Sequence, residues 1–382
     1  MREVGSQVVS VGSRQISAPP QDLQSHPGFR LDALTSLRFL AAIYVVAFHV
    51  GKTDPVRHAG AISWRLFLNH GYFAVSFFFI LSGFLLTRIY RDKWTAGNYR
   101  HFIVARFARI YPVYLLALAI QAPFYYPLAH IHKTIAVALM VQSWTVLPSD
   151  YPGAWNFPAW TLSVEWFFYA FFPVLLWLLA KVRRKWLVIA AILIASIAID
   201  GPQAAIGARL TWFSRHIPLP LLRLPEFFLG MLIATIQPRR PLKSRHWTPA
   251  IILLAVLLLS LNIHRFVTLV VVAFAAMIWL LAYEDSAIRR WFETRSLVLL
   301  GGASYAIYIL QDPIRNWLTL WSETWLHLPI VDREGYPIAL IAISVAVFLW
   351  FEQPARRWLR SPSEPAICVL GLHLAEEAAE SE

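Results

Sequence analysis

Two ionisable side chains, Arg38 and His49, stand in the first long apolar run, LDALTSLRFLAAIYVVAFHVG. A charge inside such a run is costly and asks for a reason. The separation of 11 residues amounts to about 1100° of helical turn, about 20° from alignment, and a rise of roughly 16 Å. On a helix the two share a face, with the guanidinium deep and the imidazole toward the far end. An imidazole that titrates near neutrality is a natural base for a hydroxyl. A guanidinium suits phosphate or a developing negative charge. The pair reads equally as a histidine at the water interface and an arginine snorkelling the other way.

Other residues extend this chemistry. Arg106 and Arg109 lie three apart at the start of a later run, ARFARIYPVY, on one helical face suited either to the phosphates of a nucleotide-type carrier or to plain anchoring at the membrane surface. Glu165 falls about one turn into PAWTLSVEWFFYAFFP, at the expected depth of His49, where a carboxylate could orient the imidazole. Arg223 and Glu226 read as a structural ion pair. Ser82, Ser163 and Ser304 read as small residues permitting close helix packing rather than as nucleophiles. Asp54, five residues after His49, falls past the helix end. His130 and His132 lack the partners a zinc site needs, so no metal is expected. The single cysteine, Cys368, allows neither an intramolecular disulfide nor an intramembrane thioester.

The elements that must carry these side chains follow from composition. Hydrophobic residues make up 58% of the 382, with 15% charged. A soluble domain needs more charged surface, and several runs reach about 18 to 20 apolar residues, enough to span a bilayer. The expected fold is all-α: a polytopic integral membrane protein of about ten transmembrane helices, near 33–51, 71–90, 107–127, 161–180, 185–199, 217–236, 248–262, 267–283, 297–314 and 336–351. Lys and Arg cluster in 88–109, 181–185, 239–245, 289–295 and 356–360, alternate connections that the positive-inside rule assigns to the cytoplasm together with both termini. Residues 1–30 then form a disordered cytoplasmic tail, 31–358 the transmembrane domain and 359–382 an acidic cytoplasmic tail. The apolar stretch 134–147 is too short to span and is expected to be re-entrant or interfacial. The net charge of +12 is explained by topology, and nucleic acid is excluded as a partner.

In register along these runs, Arg38 and His49, the HGYFAVSFFFILSGF segment with Ser82 and Gly83, and Trp160, Ser163, Glu165 and Tyr169 resemble the motifs of the membrane acyltransferase-3 family. RLPEFFLG at 223–230, GGASYAIYILQDP at 301–313 and FEQPARRWLR at 351–360 continue the likeness, which covers about 32–360. Three positions depart from the family pattern: Trp166 replaces a second glutamate, Ala105 a first arginine, and Gln311 a histidine. Gln311 can hydrogen-bond but cannot shuttle a proton at neutral pH. The resemblance implies an inner-membrane enzyme that moves an acyl group, often acetyl, from cytoplasmic acyl-CoA to a hydroxyl of an extracytoplasmic saccharide or glycolipid. Acyl-CoA is then a co-substrate, and no cofactor is permanently bound. His49, Arg38 and Glu165 become catalytic candidates. Arg38, Arg106 and Arg109 become donor contacts, and Trp160, Tyr305 and Gln311 acceptor contacts. A transporter or flippase for a small amphiphile is the rival reading of the same buried charges.

Overall fold

The computed structural model describes residues 31–52, 67–124, 131–144, 155–193, 217–238, 242, 246–260, 267–326 and 335–359. These are helical almost throughout, and the one β feature among them is an isolated bridge between Leu242 and Glu284. Helix α1 is Asp32–Lys52, α2 Phe73–Tyr90, α3 Tyr99–Gln121, α4 Ile131–Ala138 and α5 Trp160–Lys181. Then come α6 Leu224–Ala234, α7 Trp247–Ser260, α8 Val267–Tyr283, α9 Arg295–Gly302, α10 Ser304–Trp321, α11 Tyr336–Val347 and α12 Gln353–Leu359.

Five helical segments are long and apolar enough to cross a membrane: Asp32–Val50, Phe73–Lys93, Tyr99–Phe124, Phe157–Lys181 and Tyr336–Leu359. The pair α9–α10 makes a sixth candidate, bent by 55°. Helices α7 and α8 are apolar but only 14 and 17 residues long. The ten-span expectation is thus met by at most six spans of full length among the described residues. The predicted 217–236 run is split at Arg223, ahead of Pro225, into Leu219–Leu222 and α6. Part of 185–199, the loops at 200–216 and 239–241, and both expected tails lie outside the described residues, as do Asp54, His130 and Cys368.

The stretch at 134–147 does not cross as one helix. Helix α4 ends at Ala138, Met140 takes a positive φ of 55°, and a 3-10 turn follows at Gln142–Trp144. Tyrosines of α3 satisfy the carbonyls at the end of α4: the Tyr114 hydroxyl donates to Val137 O at 2.6 Å and Tyr111 to Ala138 O at 3.1 Å. The Gln142 side-chain amide donates to Ala159 O, and the Ser143 hydroxyl to Trp160 O. The segment is therefore stitched to the N-terminal end of α5, where its broken backbone is covered by protein, as a non-spanning insert requires.

Packing is closest between α2 and α6. A Cβ on Gly83 would lie 2.0 Å from Phe227 O, and one on Gly230 would lie 2.0 Å from Ile80 O. Each glycine lets the other helix's backbone approach, the small-residue mode of helix association in membranes.

Candidate active site

Five helices, α1, α2, α3, α5 and α10, surround a cavity of about 1120 Å³, open end included. Helix α2 lines it from Val75 to Ile89, a rise of roughly 21 Å. Its charged side chains are Arg38 of α1, Arg106 and Arg109 of α3, and Glu165 of α5, with Tyr169, Ser304, Tyr305 and Tyr308 among its polar lining.

The cationic group lies deeper than the sequence suggests. Helix α3 begins at Tyr99 rather than near 107, so Arg106 and Arg109 stand about two and three turns inside it. Arg106 is buried, donates to the Tyr90 hydroxyl at 3.1 Å, and has its guanidinium 5.6 and 5.7 Å from the Tyr90 and Phe102 ring centroids. Arg38 and Arg109 are half-buried and interact electrostatically with Glu165. Glu165 accepts a hydrogen bond from the Tyr169 hydroxyl at 2.9 Å. Its observed company is thus the arginine group, while the expected contact to His49 is supplied by another residue.

That residue is Gln311. Its Oε1 lies 2.7 Å from His49 Nδ1, and its Nε2 donates to Tyr308 O at 2.7 Å. The donation to a carbonyl fixes the amide orientation, so Oε1 accepts from His49 Nδ1–H. This tautomer puts the basic lone pair on Nε2. Gln311 is 1% exposed, and its own backbone carbonyl accepts from the Tyr336 hydroxyl at 3.0 Å. Phe157 closes one side of the imidazole edge-on, with ring centroids 5.6 Å apart. Its backbone N–H donates to Asp312 Oδ2 at 3.0 Å, and Asp312 in turn interacts electrostatically with His49.

The predicted residues therefore fall into two groups. Arg38, Arg106, Arg109, Glu165 and Tyr305 face the cavity; Gln311 and His49 form a separate centre on the far side of Tyr308. The Tyr305 hydroxyl donates to Ile110 O at 2.7 Å, tying α10 to α3. Trp160 meets the edge of Phe79 at 6.3 Å. Ser163 accepts from Ser143 N–H at 3.2 Å, a structural use in line with its expected packing role. Arg223 and Glu226 do pair, at 3.0 Å, and Ser76 donates to the same carboxylate oxygen at 2.7 Å. Sequence reasoning passed over Tyr308, Asp312, Phe157 and Phe78. The signal for two of them was present: Tyr305, Tyr308 and Asp312 recur at helical spacing within the quoted GGASYAIYILQDP.

Residues 31–351 match the family model of an acyltransferase domain, acyltransferase-3. The chain is 31% identical over 313 residues to "Acyltransferase MdmB" of Streptomyces mycarofaciens, covering 74% of this chain and 78% of that protein. It is 34% identical over 108 residues to "Protein 2 in picA locus" of Rhizobium radiobacter, covering 27% of this chain and 50% of that protein. It is also 21% identical over 369 residues to "Putative O-acetyltransferase SACOL0978" of Staphylococcus aureus (strain COL), covering 87% of this chain and 57% of that protein. No solved structure gives a significant match. With its helical scaffold, charged cavity and oriented histidine, the chain belongs to the acyltransferase-3 family and is an acyltransferase.

Proposed function

We propose that this acyltransferase moves an acyl group, acetyl or of similar size, from cytoplasmic acyl-CoA to a hydroxyl of an extracytoplasmic saccharide or glycolipid in the inner membrane. The observation that carries the reading is the His49–Gln311–Tyr308 chain, which supports a base role by leaving Nε2 as the nitrogen able to take a proton. The acceptor hydroxyl gives its proton to Nε2 as its oxygen attacks the thioester carbonyl. The tetrahedral intermediate then collapses, the C–S bond breaks, and the CoA thiolate takes the proton from the imidazolium. Arg38 and Arg109 hold the charged carrier, while Glu165, anchored by Tyr169, keeps the guanidiniums from repelling one another. Arg38 sits roughly 16 Å along the same helix from His49, so its task is the carrier rather than the reacting carbonyl. Of Trp160, Tyr305 and Gln311, expected at the acceptor, Gln311 in this reading orients the base, Tyr305 has a place in the donor cavity, and Trp160 is left as the acceptor contact.

The test is CoA release from acetyl-CoA by the purified chain in the presence of cell-surface glycan. His49→Ala should lower turnover by about 10²- to 10⁴-fold. His49→Gln should be as inactive, because an amide keeps the contact but cannot take the proton. Near-normal turnover in the Gln variant would sink the general-base role. Wild-type protein that moves an amphiphile but releases no CoA would favour the transporter reading.

A further inference from the structure

The cavity and the His49 centre lie along one path yet are separated by an apolar partition. On α1, Arg38 lines the cavity, His49 stands beyond it, and Ala41, Tyr44 and Val45 lie between. Val45 and Ala74 are each 2% exposed and Tyr308 7%, and the three form a small cluster apart from the main core, with Ala41, Tyr44 and Phe78 packed against it. Phe78 and Tyr308 also line the cavity, their rings meeting edge-on with centroids 6.0 Å apart at 67°. They close the cavity toward His49.

The two rings are held differently. Tyr308 is tethered at both ends: its hydroxyl donates to Pro158 O at 3.3 Å, and its carbonyl accepts from Gln311, the residue that touches His49. Phe78 has no polar group to anchor it and is half-buried. A rotamer change at Phe78 opens the partition while Tyr308 stays in place. Val45 and Ala74, clustered with Tyr308, are almost fully buried and leave the rings little room to part. In a thioester bound from the arginine side the acyl group is the leading end. It must pass this partition before its carbonyl comes within reach of a hydroxyl at His49.

We propose that Phe78 and Tyr308 form an apolar collar that sets which acyl groups are transferred, passing short chains and holding back longer ones. This rests on the acyl-CoA reading above. A closed apolar constriction of this kind also resists wetting, so the path conducts neither water nor ions between turnovers.

The experiment measures kcat/KM for CoA release from acetyl-, propionyl-, butyryl- and hexanoyl-CoA with the full-length chain and with Phe78→Leu, Phe78→Ala and Tyr308→Leu. Misfitting methylenes in an apolar site discriminate by about 10-fold or more each. Phe78→Ala should therefore raise the propionyl-to-acetyl ratio by about 10-fold and the butyryl-to-acetyl ratio by about 100-fold, with Phe78→Leu intermediate. If the Ala variant fails to fold, Phe78→Leu carries the comparison. An unchanged ratio, or equal loss on every donor in a variant that still folds, overturns the collar and leaves the proposed function standing. Wild-type protein that turns over none of the four donors overturns both.

Discussion

Arg106 and Arg109, three residues apart, stand in different surroundings. Arg106 donates to the Tyr90 hydroxyl and lies over two aromatic rings, whereas Arg109 exerts the larger electrostatic pull on Glu165. A charge-assisted contact is worth about 1.5 to 3 kcal/mol, or about 10- to 100-fold in affinity. Arg109→Gln should therefore raise the donor KM by about that factor with a smaller change in kcat. Arg106→Gln should act chiefly on stability, since it leaves a buried aromatic pocket without its cation. Donor titrations of both variants at matched expression check this, and equal KM effects would return the two to a common anchoring role. At this scale the sequence was a partial guide. The 11-residue spacing of Arg38 and His49 aligns them along α1, because helical phase is local information; Arg38 lines the cavity and His49 meets Gln311. The His49–Gln311 contact joins residues 262 positions apart, which no periodicity can relate. Glu165 was misplaced for a related reason. Its depth along α5 was legible, but its neighbours depend on α3, which starts near Tyr99 because the polar turn YRHF continues the helix into the basic end.

Helices here are positioned by what is small as much as by what is apolar. The reciprocal contact of Gly83 and Gly230 holds α2 against α6, and α2 forms one long wall of the cavity. Gly230→Ala places a methyl against the Ile80 carbonyl and should force the helices apart, at a cost of about 1 to 3 kcal/mol. Thermal unfolding in detergent should show a lowered midpoint and reduced yield of folded protein, with wild-type stability as the result that counts against the contact. The SGF and FFLG segments that hold these glycines were visible in the sequence as quoted motifs. Their pairing across the bundle was not, since small residues permit many partners. The insert at 134–147 shows the opposite case. Its length alone excluded a span, and the tyrosine contacts to its helix end supply the reason it can stay unspanned.

At the scale of the molecule, the outward surface carries Trp177, Leu178, Leu253, Leu257 and Ile338, all exposed, as a face turned to lipid requires. The Lys181 ammonium lies 3.5 Å from the Trp177 ring centroid, an arrangement suited to the headgroup level. The positive-inside expectation for the basic segments is that this end faces the cytoplasm. Single cysteines at Arg184 and Tyr72, in a Cys368→Ser background, should then react with an impermeant thiol reagent from opposite faces, Arg184 only from the cytoplasmic one. Labelling of both from one face would undo the assigned orientation.

The arginines stand far from the bond that the proposed reaction breaks. In that proposal Arg38 and Arg109, which line the cavity beside Glu165, hold the part of the donor that transfer leaves unaltered. Loaded and spent carrier are then held with nearly equal strength, and such uniform affinity contributes nothing to the chemical step. The enzyme is left with an exhausted cargo that has little reason to depart. Under the proposed reaction, spent carrier therefore competes with loaded carrier for the same arginines, and turnover would follow the ratio of the two.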